Sequence, residues 1–152
     1  MLHIVLVAPE IPHNAGAAGR LALATGARLH LVKPLGFSLD DKHVRRTGLD
    51  YWKDVDLHVW EDFPSLLQSA DSSSRFWFLS TKATRSHWEA GFEEGDYLVF
   101  GCESRGLPEP MIQAAGMQAL RIPMAQESTR SLNLSTAIAI TLYEAVRQTG
   151  GM

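Results

Sequence analysis

The sequence contains a single cysteine, Cys102, and little else that binds metals. One cysteine excludes an intramolecular disulfide framework and a cysteine-based zinc site. It is also what a protein of the reducing cytoplasm is expected to contain. The six histidines are not spaced as metal ligands are, so we expect no metal site.

Long apolar runs and a strong charge of either sign are also missing. Residues 1–7 are apolar but have no basic flank, and they are too few for a signal peptide or a membrane span. We therefore expect no membrane association. The net charge of −3 argues against a generally basic surface that coats nucleic acid. It still allows a local basic patch, which is all that nucleic-acid binding needs.

The pattern of apolar segments predicts one α/β domain that spans residues 1–152. The composition, with 45% apolar and 20% charged residues, is that of an ordinary globular protein with a core. Strands are predicted at 2–7, 28–32, 57–60, 76–79, 97–100 and 119–122. Helices are predicted at 15–25, 40–46, 63–68, 108–115 and 133–148. Their alternation indicates a mainly parallel sheet flanked by helices.

Two helix ends carry clear capping signals, and the last helix has an unusual composition. Gly26 is predicted to end the first helix, and Asp62 to cap the helix that begins at residue 63. The last helix is apolar on most of its faces and must be buried. In a chain this small, we expect a second subunit to supply part of that burial.

Residues 14–20 follow the first strand and contain two glycines and one arginine. The glycines would let backbone N–H groups approach a phosphate at the helix start. Their spacing is neither that of a dinucleotide fingerprint nor that of a P-loop. Tight packing of the helix on the sheet is the alternative, and the residues alone leave both open. Arg20 is a lone cation in a helix of small residues, and arginine is suited to phosphate contact.

Residues 101–106 form a glycine-flanked acidic segment directly after a predicted strand. The glycines allow a tight turn and close approach of the backbone. Glu103 has the chemistry to accept hydrogen bonds from an amine or a ribose hydroxyl. A plain turn with a solvent-exposed Glu–Arg pair is the alternative. Cys102 is predicted to be a small buried packing residue rather than a nucleophile.

Residues 128–135 place hydroxyl groups, Arg130 and Asn133 just before the last helix. Asn133 or Ser131 is a natural N-cap, which is the structural interpretation. The functional interpretation is a helix N-terminus that binds a polar or anionic ligand, with Arg130 as an added donor.

Basic residues are dense only at 42–46. Such a run is either a solvated helix face or a contact to a phosphate backbone. Lys82 and Arg85 follow another predicted strand and extend the same surface under the second interpretation. Three tryptophans, at positions 52, 77 and 88, are able to stack on bases. Tryptophan is more often found in cores or interfaces.

Three of these segments, taken in order, resemble the motifs of the SPOUT superfamily of S-adenosylmethionine-dependent RNA methyltransferases. They are residues 11–20, residues 101–107, and residues 121–123 with 131–135. Within the superfamily, the short chain and the segment 36–51 are similar to bacterial enzymes that methylate the wobble ribose of leucine tRNAs. The chain departs from their pattern by one extra residue between Pro123 and Ser131, which affects the alignment of Arg130.

The resemblance implies an α/β fold with a C-terminal trefoil knot and S-adenosyl-L-methionine bound in that knot. It also implies a homodimer whose active site is completed across the interface, and the anticodon stem-loop of tRNA as partner. The implied cofactor-binding residues are Leu79, Gly101, Glu103, Gly106, Ile122, Ser131 and Leu132. The implied catalytic residues are Arg20, Glu103, Ser131 and Asn133. The expected tRNA contacts are Lys42, Arg45, Arg46, Lys82, Arg85, Arg130 and Tyr143.

The implied reaction is methyl transfer to a ribose 2′-hydroxyl of the wobble cytidine or uridine. In relatives the arginine that matches Arg20 is proposed as the base, but a guanidinium stays protonated. Arg20 is better suited to holding the ribose or phosphate and stabilising the developing alkoxide. Three alternatives stay open: another tRNA position or ribosomal RNA, a non-catalytic RNA-binding module, and a small-molecule α/β enzyme.

Overall fold

The computed structural model describes residues 1–40, 49–125 and 131–150. Its strands are β1 (His3–Val7), β2 (Arg28–Val32), β3 (Leu57–Trp60), β4 (Phe76–Leu79), β5 (Arg85–Ser86), β6 (Tyr97–Phe100) and β7 (Ala119–Arg121). They form one sheet in the order β3-β2-β1-β6-β4-β7-β5. Every neighbouring pair in it is parallel, so the predicted parallel α/β class is confirmed.

The α-helices in the described ranges are α1 (Pro12–Thr25), α2 (Phe63–Ser69), α3 (Glu109–Ala115) and α4 (Leu134–Thr149). Helix α1 begins earlier than predicted because Pro12 fits the first helical turn, where no N–H is needed. Strand β5 was not predicted, since two polar residues give no apolar run. The helix predicted at 40–46 lies almost wholly outside the described residues.

The predicted helix caps are confirmed. The Asp62 carboxylate accepts a hydrogen bond from the Ser65 N–H at the start of α2. The Asn133 side chain accepts one from the Ser135 N–H at the start of α4. Gly26 ends α1 in the left-handed conformation, with φ of 73°.

Helices cover both faces of the sheet, which explains why its strands are continuous apolar runs. Along β1, Ile4 and Leu6 point into one core cluster, which contains residues of α1 and α4. Val5 points into the other cluster, which contains residues of α2 and α3. The carboxyl ends of the strands therefore emerge between two helical layers.

Helix α1 packs on the sheet through Ala18, which lies in the core cluster of Ile4 and Leu6, as the structural interpretation of residues 14–20 predicted. Its glycines also contact residues 51 and 52. A Cβ atom on Gly19 would lie 2.5 Å from a ring carbon of Trp52. The Tyr51 hydroxyl donates a hydrogen bond to the carbonyl of Gly16. Trp52 is thus a packing residue. Trp77 is buried, whereas Trp88 is 67% exposed.

A stack of aromatic rings lies on the α2 side of the sheet, built on His3 and His30. The indole N–H of Trp60 donates to His30 Nδ1 at 3.0 Å. Neutral His30 therefore carries its proton on Nε2, which donates to His3 Nδ1 at 2.9 Å. The His3 ring also stacks on Tyr97, with 3.9 Å between centroids. This network holds both histidines in the neutral state.

Acid should destabilise the fold through these two histidines. Burial, followed by the charge of Arg28, lowers the pKa of His3 to about 4. Burial, followed by electrostatic repulsion from the His3 ring, lowers the pKa of His30 to about 3. The unfolded chain takes up protons near pH 6.5 while the folded chain does not, so stability is complete above that pH and falls below it. Between pH 8 and pH 5 we expect a loss of up to about 2 kcal/mol for each histidine.

Urea unfolding at the two pH values measures this loss. Equal stability at pH 8 and pH 5 would contradict the neutral-histidine network.

None of the helices in the described ranges is long and apolar enough to cross a membrane. The trefoil knot stays a prediction, because residues 126–130, between β7 and α4, lie outside those ranges.

Candidate functional site

A cleft of about 450 Å³ opens at the carboxyl ends of β4, β6 and β7, beside the first turn of α1. This is the edge of a parallel sheet at which α/β proteins bind ligands. The volume is within the range of small-molecule sites. Its apolar lining includes Leu79, Phe100, Leu107, Ile122 and Leu134.

The glycine turn at 101–106 forms one wall of the cleft. A Cβ atom on Gly101 would lie 2.1 Å from the backbone of Gly106 and Leu107, so only glycine fits there. Gly106 has a φ of 71°, and its N–H donates to the Cys102 carbonyl at 2.9 Å. The close backbone approach predicted for this turn is confirmed.

Glu103 has partners that neither sequence interpretation anticipated. Its carboxylate accepts hydrogen bonds from the backbone N–H of Glu10 at 2.8 Å and of Ile11 at 2.9 Å. The Asn14 amide donates a third at 3.0 Å. Ile11 is the N-cap residue of α1 and makes no side-chain cap bond, so the carboxylate of Glu103 supplies the acceptor there. Glu103 therefore ties the turn to α1.

Glu10 makes the reciprocal contact, from the loop after β1 to the 101–106 turn. Its carboxylate accepts from the Ser104 N–H at 2.8 Å and from the Ser104 hydroxyl at 2.9 Å. These two bonds lower the pKa of Glu10. We refer to the five bonds made by Glu10 and Glu103 as the glutamate clasp. Sequence analysis missed Glu10, and its only signal was a carboxylate in the loop between a strand and a helix.

The start of α4 supplies the opposite side of the cleft through Ser131, Leu132 and Asn133. Asn133 Oδ1 accepts from the N–H and the hydroxyl of Ser135, so Asn133 is the N-cap of the two candidates, Asn133 and Ser131. The Asn133 Nδ2 amide is not part of this cap and retains its donor capacity. Capping and ligand binding are therefore compatible at this residue.

The residues expected to bind the cofactor all line this one cleft: Leu79, Gly101, Glu103, Gly106, Ile122, Ser131 and Leu132. Their individual contacts stay predictions. Asn133 also lines the cleft, but Arg20 is absent from its lining. Arg20 is exposed, and its guanidinium carbon lies 5.9 Å from the centroid of the Tyr51 ring. It follows Asn14 by six residues, about 9 Å along the helix axis.

The expected RNA contacts are scattered, and four lie outside the described residues: Lys42, Arg45, Arg46 and Arg130. Lys82 lines the cleft and forms an ion pair with Glu109 at 3.0 Å. Arg85 donates to the carbonyls of Met117 and Glu89, so its guanidinium is held within its own chain. Tyr143 is 42% exposed on α4. Their contacts with RNA stay predictions.

Cys102 differs from its predicted role, because it is half-buried and lines the cleft. The turn leaves one side of this residue open, so it is not a core packing residue. In the described part of the chain, no three His, Cys, Asp or Glu side chains are grouped to hold a metal ion.

The cleft has the character of a nucleoside site. Apolar side chains offer walls for a planar base, and the glycine turn brings backbone N–H and C=O groups within reach of polar edges. Ser131 and Asn133 add donors near a helix N-terminus. Fold and cleft together define an α/β protein with a small-molecule cleft at the carboxyl edge of its sheet. The chain belongs to the SpoU rRNA Methylase family, whose sequence model matches residues 1–143.

The relatives described here match almost the whole of this chain, and two of them are of similar length. A tRNA (cytidine(34)-2'-O)-methyltransferase of Saccharophagus degradans is 51% identical, over 99% of this chain and 97% of that protein. A solved structure described as giving insights into the 2-OH methylation of C/U34 on tRNA has a TM-score of 0.93 and 47% identity. It matches 100% of this chain and 98% of that one. An AdoMet-bound rRNA methyltransferase from Sinorhizobium meliloti has a TM-score of 0.81 and 25% identity, over 96% of this chain and 56% of that one.

Proposed function

We propose that this chain transfers a methyl group from S-adenosyl-L-methionine to the ribose 2′-hydroxyl of cytidine or uridine 34 in tRNA. The observation that carries the proposal is that all seven residues expected at the cofactor line one cleft. The full-length similarity to enzymes named for this reaction supports the choice of substrate. The family match supports the reaction class.

The lining of the cleft fits the cofactor. Leu79, Ile122 and Leu132 would pack against its adenine, and the backbone of Gly101 and Gly106 would meet its polar edges. S-adenosylmethionine supplies a methyl group already activated on a sulfonium, so the protein contributes orientation and electrostatics. Glu103 acts indirectly in this scheme, because its carboxylate is already bonded to α1.

The hydroxyl that accepts the methyl group needs orientation and must lose its proton. The amide of Asn133 and the hydroxyl of Ser131 are donors at the mouth of the cleft and would orient it. Arg20 would stabilise the developing alkoxide as a fixed cation. Its absence from the lining of its own cleft favours a role in the cleft of a second subunit.

A homodimer is the second part of the proposal. Helices α1 and α4 pack side by side, and Leu23, Ile140 and Tyr143 on these helices are each more than a third exposed. Large exposed apolar side chains on adjoining helices are typical of an interface. Arg20 precedes Leu23 by one helical turn, so an interface at this face would place Arg20 against the partner subunit.

Ile140→Lys should convert the dimer into monomers and abolish methyl transfer. A lysine at this exposed position leaves the fold intact but places a charge in the interface. Sedimentation measures the mass, and a transfer assay measures the activity. Leu67→Lys is the matched control, because Leu67 is 43% exposed on α2, on the other face of the sheet. A dimeric, active Ile140→Lys protein would contradict this interface.

The finer points of the substrate are also proposals. We propose that the anticodon stem-loop of leucine tRNAs is the target and that the single domain meets it in the cytoplasm. Contact residues would be Lys82, Arg85 and Tyr143, with Lys42, Arg45, Arg46 and Arg130. Binding that rests on phosphate contacts should weaken steeply as salt rises.

Transfer of labelled methyl groups to bacterial tRNA that lacks wobble ribose methylation tests the proposal. The purified protein is incubated with labelled S-adenosylmethionine and the tRNA, and the modified nucleotide is mapped. Label on the ribose of nucleotide 34 is the expected result. Label on another tRNA position or on ribosomal RNA would show that the protein methylates a different target. If the protein neither transfers methyl groups nor binds the cofactor, the result would favour a non-catalytic RNA-binding protein.

A further inference from the structure

The glutamate clasp joins two loops that leave the same edge of the sheet. Strands β1 and β6 are neighbours, with Leu6 paired to Phe100. The loop after β1 carries Glu10, and the turn after β6 carries Glu103. The two carboxylates cross in opposite directions, each to backbone N–H groups of the other loop. Charged acceptors make the stronger hydrogen bonds of proteins, so the loops are held as one body.

Glu10 holds the tip of the 101–106 turn. The Gly106 N–H closes the base of the turn on the Cys102 carbonyl, while Ser104 stands near its tip. Both Ser104 bonds go to Glu10. Glycines at the two ends of the turn permit other backbone conformations. Without the Glu10 carboxylate the Ser104 N–H and hydroxyl would lose both of their hydrogen bonds, and only Glu103 would still join the turn to the loop after β1. The tip of the turn would then be held less firmly, and the cleft wall would change shape.

The backbone of Glu10 is itself locked in place. The Gly36 N–H donates to the Pro9 carbonyl at 2.9 Å. A Cβ atom on Gly36 would lie 2.7 Å from the Glu10 carbonyl oxygen, so this contact requires glycine. Ala8, at the start of the loop, has a φ of 53°, which is uncommon for a residue other than glycine. Backbone strain of this kind concentrates at functional sites.

Glu10 does not line the cleft, although Ile11 and Ser104 on either side of its contacts do. Any effect on the ligand must therefore pass through the turn. We infer that Glu10 is a positioning residue that holds the 101–106 turn in the shape that binds S-adenosylmethionine; this inference rests on the proposed function. Glu10 sets the affinity for the cofactor without touching it.

Glu10→Ala should weaken S-adenosylmethionine binding about tenfold, as expected for loss of charge-assisted hydrogen bonds. Titration calorimetry gives the dissociation constant, and transfer assays give KM and kcat separately. The KM for the cofactor should rise by the same factor, while kcat at saturating cofactor should fall far less. Glu10→Gln keeps one acceptor oxygen and should lie between the parent protein and the alanine variant.

Asp62→Ala is the matched control for a loss of stability. Asp62 accepts from the N–H and the hydroxyl of Ser65, the same pair of donors that Ser104 presents to Glu10. It lies at the start of α2, outside the cleft lining. Asp62→Ala should lower the melting temperature and leave the cofactor dissociation constant unchanged.

Gly36→Ala should disturb the same turn indirectly, by displacing the backbone of Glu10. The added methyl group must displace Glu10, since the atoms it meets are backbone. This variant should weaken cofactor binding as well. Its effect should not add to that of Glu10→Ala, because both act through one contact.

The outcomes separate this inference from the proposed function. A parent protein that neither binds S-adenosylmethionine nor transfers methyl groups would overturn the proposed function. A parent protein that binds the cofactor, with a Glu10→Ala variant that binds it equally well, would overturn the role of Glu10 alone. Equal weakening by Glu10→Ala and Asp62→Ala would also overturn it, since general destabilisation would then account for the effect.

Discussion

Arg20→Ala should reduce methyl transfer by about 100- to 1000-fold, the usual loss when a group that stabilises transition-state charge is removed. Arg20 is exposed and absent from the lining of the cleft, so cofactor affinity and melting temperature should stay at parent values. Single-turnover transfer measures the chemical step, and calorimetry measures the cofactor. The loss should appear in kcat rather than in cofactor binding.

Two variants control for charge alone. Arg20→Lys keeps the charge but loses the planar fork, so most of the defect should remain. Arg28→Gln removes an arginine at the other edge of the sheet, where it pairs with Asp56, and transfer should continue at the parent rate. Full activity of Arg20→Ala would remove this arginine from the mechanism.

Gly101→Ala should abolish cofactor binding and destabilise the fold by roughly 3 kcal/mol, the upper end of what an overpacked site costs. The new methyl group would lie 2.1 Å from backbone atoms of Gly106 and Leu107, and backbone cannot rotate away as a side chain can. The turn must open, and it forms a wall of the cleft. Urea unfolding gives the stability, and calorimetry gives the loss of cofactor affinity.

Gly91→Ala is the matched control, since a Cβ atom at Gly91 meets no atom within 4 Å. Its stability and cofactor affinity should equal those of the parent protein. Cofactor binding that survives Gly101→Ala would show that the turn is not part of the binding site.

Combining the two variants expected to be inactive, Arg20→Ala and Gly101→Ala, tests whether Arg20 acts in the partner's cleft. A dimer of one Arg20→Ala chain and one Gly101→Ala chain has one intact cleft, on the Arg20→Ala chain, facing the intact Arg20 of the other chain. Mixed dimers should therefore recover about half of the parent activity if the arginine acts across the interface. No recovery in a verified mixed dimer would show that each chain uses its own Arg20.

The strands and caps could be predicted because their signals are local. Apolar runs bounded by glycine, proline or polar turns predict both the first and the last residue of β2, β3, β4 and β6 correctly. Asp62, Asn133 and Gly26 act on groups within four residues of themselves. The two residues of β5 carry no such signal, since pairing with β7 alone makes them a strand.

The candidate site could be predicted only in part, because its contacts join distant segments. The cleft residues were identified by motif, but the partners of Glu103 lie 89 to 93 positions away along the chain. Glu10 carries no motif of its own, and its role follows from the pairing of β1 with β6. The role proposed for Arg20 is the converse case, since a role in another subunit cannot be deduced from neighbours in one chain.

The half-buried thiol of Cys102 offers a built-in chemical reporter. It is the only cysteine in the sequence, and it stands in the cleft wall with its sulfur 3.7 Å from the Gly106 carbonyl. A thiol-reactive fluorophore would therefore attach at a single place, against the glycine turn. Protection from labelling would follow occupancy of the cleft in real time, without radioactivity and without RNA.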